Sequence, residues 1–449
     1  MIHKVTLKNF KLHASTEIEA APITVFIGPN NSGKSSIFQA LLSLRQAAAL
    51  KRPSLCEPDF SQRGLLIIDI GEFGDVVRQG ERDIRISAEG TVSVSEREPY
   101  GPEVKVEFEV WVRDNRLAFH KGSLSVPVPR TRPRSWIETN LAEGDADSRR
   151  WVWEWRGPVQ EFSIIRLRSV PGQPTIQLGL TLADHFGLLN TGSVTAETGF
   201  PPERQLEAIS FQQFLVDAPR RLLASIHPIF PLRGWEAWGY PLGDVAPENL
   251  FQLGLKERAE ALVNTLVYRD AELERLSKWL EELHEPLLRL KFAPGKRVVI
   301  RSKTPAGNGA EALLVNEGTG ANQLPFILIP VGLAHENETI LLWEPEAHLH
   351  PRLQSELTRL VLRIAKNENK QFFIETHSEH VLHALLHAVA RGELGTDDLA
   401  IYFFENIHGE AKARRLKVND KGQVEGGLPG FFDKALEELS EYLDALRIK

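Results

Sequence analysis

Residues 23–50 read ITVFIGPNNSGKSSIFQALLSLRQAAAL: an apolar run, a glycine-rich turn, then a series of helix formers. The first five residues have the length of a fully buried strand, and residues 36–50 carry helical spacing. Between them Gly28-Pro-Asn-Asn-Ser-Gly-Lys34-Ser35 satisfies GxxxxGK[ST]. Glycines there let backbone N–H groups curl around phosphates, and the helix N-terminus adds its dipole. Lys34 is placed to reach the terminal phosphates, and the Ser35 hydroxyl to ligate Mg2+. A plain surface turn would require neither the strand before it nor the helix after it. The stretch marks a nucleotide site, with Gly28, Asn30, Asn31, Ser32, Gly33, Lys34, Ser35 and Ser36 as its candidate binding residues.

The chain around it has 449 residues, 42% of them hydrophobic and 25% charged, which excludes wholesale disorder and rod-like folds. Its length suggests two or three domains. A net charge of −7 gives no general attraction to nucleic acid, so any polyanion contact must come from a local patch. The single cysteine, Cys56, can form neither an internal disulfide nor a cysteine-rich zinc site. No apolar run has spanning length and the opening MIHKVTLKNFKLHAS lacks a signal-peptide core, so a soluble, cytoplasmic protein without membrane contact is expected. Nine tryptophans against one methionine stand out.

Residues 2–9 alternate as a strand, and DIRISAEG, VKVEFEVWV and RLAFH predict an antiparallel sheet between 65 and 119. The proline-rich basic stretch HKGSLSVPVPRTRPR predicts irregular chain, WVWEWR and FSIIRLR strands, and 257–285 a helical stretch. A hairpin is expected to turn at Pro294-Gly295. From Glu311 a βα alternation predicts a parallel sheet, and the tail after Phe431 an amphipathic helix. Neither α/β end has strands enough alone, so the two are expected to complete one discontinuous sheet.

Three further motifs belong to that second α/β end. TILLW, residues 339–343, is followed by Glu344-Pro-Glu346, where a strand ending in acids suits an oriented water and a bound metal. Thr376-His377-Ser378 follows the strand QFFIE, at the edge where open α/β sheets bind ligands. Glu317-Gly318-Thr319-Gly320-Ala-Asn-Gln323 opens a helix and offers a second anion-binding corner.

Together and in this order, these motifs resemble the ABC-type ATPases, and within them the SMC-related, OLD-like (overcoming-lysogenization-defect) and RecF-like branch. LKNFK…ITVFIGPNNSGKSS resembles its first strands and Walker A, LLWEPEAHLHP its Walker B and D-loop, NEGTGANQ its signature motif, and ETHSEHVL its H-loop. GGLPGFFDKAL is similar to a small C-terminal module on bacterial ATPases of this branch. The implied fold is α/β: a P-loop ATPase head with an antiparallel β-lobe and a mixed α+β insertion. Its expected divisions are 1–119 and 311–449 for the two halves of the head and 120–310 for the insertion. The resemblance implies ATP and Mg2+ as cofactors, held between two protomers. Gly318, Gly320 and Gln323 of one protomer would close on the γ-phosphate held by the other, Glu344 would polarise water, and His377 would sense the γ-phosphate. Metal would fall to Ser35 and Glu344. The branch usually carries two acidic or amide residues before the proline, and the first of these here is Trp343, which cannot ligate a metal. Either Glu344 or Glu346 takes over, or hydrolysis is slow and the protein is a nucleotide-gated scaffold. The Q-loop glutamine is Gln62 or Gln79.

Too few residues follow His377 for a Toprim nuclease, and no coiled-coil arm is present, so the resemblance favours a stand-alone regulator. Its expected partners are a second copy of itself and a separately encoded effector, a nuclease or toxin, in anti-phage defence. A RecF-like DNA-repair ATPase is the alternative, using the six basic residues, and no acid, of 287–303. The Trp-rich stretch 121–156 reads as core or protein interface before nucleic acid.

Overall fold

The structure, a computed structural model, describes residues 1–50, 54–57, 68–93, 103–127, 136–141, 150–156, 178–181, 218–231, 234–235, 237–245, 255–303 and 311–427. The central sheet has the order β10 (Ile226–Ile229), β15 (Thr339–Trp343), β16 (Gln371–Glu375), β3 (Ile23–Ile27), β17 (Leu399–Ile407), β18 (Glu410–Leu416). All neighbours are parallel except β17 and β18, which form a hairpin. Thr24 lies opposite Phe373 on one side and Ala400 on the other. The first α/β end is thus threaded into the middle of the second, and the expected discontinuous sheet is the one observed.

Strand parity sorts the core into two layers. Ile23, Val25 and Ile27 join Ile340, Leu342, Phe372, Ile374, Ile401 and Phe403 on one face. That face is covered by α3 (Leu255–Tyr268), α4 (Asp270–Glu282), α5 (Thr319–Leu333), α6 (Pro351–Asn367) and α7 (Glu379–Ala390). The opposite face carries Phe26, Leu341, Trp343, Phe373, Tyr402 and Phe404, and packs on α1 (Lys34–Leu50), the β-lobe and the short α2 (Phe73–Val76). The strands are buried on both faces, which is why they read as continuous apolar runs.

The lobe is one antiparallel sheet, β2 (His13–Glu19), β1 (Ile2–Phe10), β4 (Asp83–Ser93), β5 (Glu103–Arg113), β6 (Arg116–Pro127), β7 (Trp136–Leu141), β8 (Arg150–Arg156), β9 (Leu178–Thr181). β4 alternates strictly between buried and partly exposed residues up to Val92. Residues 120–127, expected to be irregular, extend β6, because Lys105–Glu109 supplies a ladder across from Lys121–Ser125. The expected boundary at 119 therefore cuts a strand. The run FSIIRLR, the side chains of Trp136, Trp151, Trp153 and Trp155, and the C-terminal helix lie outside the described residues. The helix expected over 257–285 is two, α3 and α4, broken at Arg269 (φ −128°, ψ 81°), with Asp270 and Glu272 favouring the new N-terminus.

The basic hairpin forms as expected from β12 (Leu287–Ala293) and β13 (Arg297–Lys303), turning through Gly295 at φ +77°, with β11 (Tyr240–Pro241) paired on β13. Its charges are largely engaged. Glu311, on the short strand β14 (Glu311–Leu313) beside β13, lies 2.5 Å from Lys291 and 3.4 Å from Arg301. Asp244 lies 3.7 Å from Lys296, and Arg297 stacks 4.9 Å over Trp238 while donating to the Gly239 carbonyl. Among the described residues, no helix is long and apolar enough to cross a membrane.

Candidate nucleotide site

The glycine-rich turn sits at the carboxyl end of β3 and can be built only with its glycines. Gly28 has φ +136°, and a Cβ there would fall 2.2 Å from the carbonyl oxygen of Phe404 on β17. Gly33 has φ +99°, with His13 3.0 Å from where its Cβ would stand. Three side-chain contacts stiffen the loop. Asn406 Nδ2 donates to the Asn31 carbonyl (3.0 Å), and His13 Nε2 donates to the Gly33 carbonyl (3.0 Å). The Thr16 hydroxyl then donates to His13 Nδ1 (2.8 Å), the pattern of a neutral ring. Burial drives the His13 pKa down to about 4, which keeps it neutral. Asn30 and Asn31 are exposed at the tip, while Ser32, Lys34 and Ser36 are buried.

Lys34 folds back on the backbone of the turn, its Nζ donating to the carbonyls of Gly28 (3.0 Å) and Pro29 (2.7 Å). Burial lowers its pKa, and Glu375 and Glu344 oppose that shift. The Ser35 hydroxyl donates to Glu375 Oε1 at 2.6 Å. Glu375 ends β16, directly between the strands carrying the turn and Glu344. Burial raises its pKa against the favourable Ser35, Lys34 and Trp343 contacts.

Glu344 follows β15 with φ +42°, a conformation few non-glycine residues adopt, pinned by its N–H donating to the Glu375 carbonyl (2.8 Å). Ligand atoms of Glu344, Glu375 and His377 all lie within 4.8 Å of one another. Burial lowers the His377 pKa, Lys34 adds to that, and Glu344 opposes it. The structure thus brings Lys34, Ser35, Glu344 and His377 together as expected from the sequence. Ser35 and Glu375, with Glu344 nearby, present oxygens of the kind Mg2+ prefers.

Trp343 is core rather than metal site: its ring packs 5.1 Å from Phe38 and 5.2 Å from Phe230, centroid to centroid. Of the two acids offered in its place, Glu346 turns elsewhere and accepts the His377 N–H (2.7 Å). Its role is to hold the loop carrying His377. Burial raises its pKa.

The second anion corner is only partly as expected. Gly318 caps α5, exposed and with nothing within 4 Å of where a Cβ would stand. A Cβ on Gly320 would stand 3.4 Å from the His348 carbonyl oxygen. Gln323, expected to close on a phosphate, is only 6% exposed, because the apolar α5 turns it into the head. Asn322 clasps the Trp235 backbone through both amide atoms (2.6 and 3.1 Å). Gln62 lies outside the described residues, and Gln79 is in an exposed turn.

A family model described as an AAA ATPase domain matches residues 1–90 and 255–382. Those segments carry the turn, Lys34, Ser35, Glu344, Glu375 and His377, on the strand order of a P-loop sheet with a lobe beside it. Over those segments the chain is similar to an AAA ATPase domain. A second model, described as a protein of unknown function (DUF3696), matches residues 394–441. No curated protein matches the chain in sequence. Among solved structures, the chain is similar to the SMC head domain from Thermotoga maritima (12% identity, 93% of this chain and 99% of that one, TM-score 0.42). It is also similar to an Smc head bound to the C-winged helix domain of ScpA (14%, 93% and 98%, 0.47). A third is an Smc head with an extended coiled coil bound to the C-terminal domain of ScpA, derived from Pyrococcus furiosus (13%, 98% and 99%, 0.43).

Proposed function

We propose that the head binds ATP in the glycine-rich turn and hydrolyses it between two copies of the chain, so that occupancy switches a partner protein. The observation that carries the reading is the convergence of Lys34, Ser35, Glu344 and His377 at the carboxyl edges of three adjacent strands. Lys34 leaves its two backbone carbonyls and moves to the β/γ-phosphates, whose oxygens offer stronger acceptors. Ser35 aims its hydroxyl at the metal position. Glu344 faces the γ-phosphate side and takes a proton from the attacking water, and His377 contacts the departing phosphoryl group. Mg2+, when bound, supplies positive charge to the phosphate oxygens. Gly318 and Gly320 of the second copy offer their exposed helix start to the γ-phosphate.

The switched partner, on this reading, is a separately encoded effector, and the setting anti-phage defence. What supports it is the resemblance of the motif set to OLD-like ATPases. A carboxylate poised at Glu344 favours turnover over a non-hydrolysing scaffold, and the paired charges of 287–303 favour a protein partner over DNA. The test is Lys34→Ala. ATP affinity, measured by titration with a fluorescent analogue, is expected to fall at least about tenfold, given the ~1.5–3 kcal/mol of a charge-assisted contact. Cellular phage protection should fall with it. Unchanged affinity would refute the reading.

A further inference from the structure

We propose that Glu375, at the end of β16, is the carboxylate that faces the divalent cation of this site, in place of the acid that Trp343 displaces from β15. The inference rests on the nucleotide-site reading above and assigns its metal pole to a different strand. Trp343 and Glu375 are register partners in the parallel ladder, and Glu375 is in turn opposite Phe26 of β3. Parity sends Trp343, Phe373 and Glu375 to the same face, the one occupied by α1 and therefore by Ser35. The neighbouring strand thus offers an oxygen where β15 offers an indole.

The carboxyl group is built for a cation. It is 2% exposed, and its Oε1 already receives the Ser35 hydroxyl at 2.6 Å. Its Oε2 is buried with no hydrogen-bond partner. A buried carboxylate oxygen without a partner is costly unless a positive charge arrives. Lys34 and the Trp343 indole favour the charged carboxylate, but the Lys34 ammonium donates to Gly28 and Pro29 and no hydrogen bond reaches Oε2. Glu346 also has a buried Oε2 without a partner, but its Oε1 holds the His377 N–H and it is not among the acids whose oxygens converge with Glu344 and His377. Ligand atoms of Glu344 and His377 lie within 4.8 Å of those of Glu375, while the Ser35 hydroxyl is bonded to Glu375 itself. One acid therefore serves the metal and the other the water.

The experiment uses the full chain, a non-hydrolysable ATP analogue and Mn2+ as the metal probe, read by electron paramagnetic resonance. Analogue binding is measured first in EDTA. Glu375→Gln is expected to keep that metal-free binding while Mn2+ affinity falls at least about tenfold. Glu344→Gln should leave Mn2+ affinity within about threefold of wild type. Because Glu375→Gln removes a buried charge, Glu375→Asp provides a second arm with the charge kept and drawn back by a methylene, and an intermediate Mn2+ affinity is expected. Restoring an acid on the partner strand, Trp343→Asp with Glu375→Gln, should recover part of the loss. Wild-type Mn2+ affinity in Glu375→Gln or Glu375→Asp would overturn the assignment, as would a larger loss in Glu344→Gln. Absence of analogue binding by the wild type in EDTA and in Mn2+ alike would instead overturn the nucleotide-site reading, and this inference with it.

Discussion

His13 shows how one residue far from the glycine-rich turn in sequence sets its geometry. The ring donates to Gly33 through Nε2–H while its neutral Nδ1 accepts from Thr16, and burial disfavours the charged form. A folded pKa of about 4 against 6.5 unfolded means the contribution is whole above pH 6.5 and drains away as pH falls toward 4. The loss saturates at about 3 kcal/mol, at ~1.4 kcal/mol per unit. Urea denaturation of wild type at pH 7.5 and 4.5, compared with His13→Asn, should show a smaller pH dependence in the variant. Equal slopes would mean that His13 is protonated in the folded protein. His13 was invisible in the sequence, since a histidine in an alternating strand looks like any half-buried residue. Glu375 was nearly legible. Strand parity places it on the face of Phe373, but which strand lies beside β3 is not written in a local pattern.

At the scale of elements, the loops after β15 and β16 are tied together through α6. Gln354 Nε2 donates to the Leu349 carbonyl (2.8 Å), and the Ser378 hydroxyl donates to Gln354 Oε1. His350 caps the helix and Pro351 opens it, so Gln354 stands on a rigid first turn. Gln354→Ala should cost about 1–3 kcal/mol of stability, measured by denaturation, since two partly buried partners are left unpaired. Turnover should fall more than ATP affinity, because the loops bearing Glu344 and His377 are loosened while Lys34 is untouched. Loss of affinity alone would contradict this linkage. The helices and strands of 311–407 were legible because their apolar periods are long and uninterrupted. The continuation of β6 to Pro127 was not, since its strand character comes from pairing with β5 rather than from its own composition.

For the whole molecule, the question is whether the site is complete in one copy. Gly318 is exposed, has φ −57° and meets nothing within 4 Å, so a large side chain fits there in the isolated chain. Gly318→Trp is therefore expected to leave thermal stability and ATP affinity unchanged and to abolish turnover. In the wild type, turnover per chain should rise with protein concentration, as expected of a site shared between copies. Wild-type turnover in the variant would show that each copy acts alone. The seat of the P-loop sheet was legible from four short motifs. The burial of Gln323 was not, because the inward turn of an apolar helix is decided by what packs around it.

The threading of β3 between β16 and β17 has a consequence for biosynthesis. Its two neighbours are made some 350 residues after it. During translation the glycine-rich turn emerges early but has no Glu375, no Phe404 and no Asn406 to shape it. Closing so long a loop is entropically slow. On the proposed reading, a chain truncated before β17 is expected to hold no nucleotide, which analogue binding by such a truncation checks.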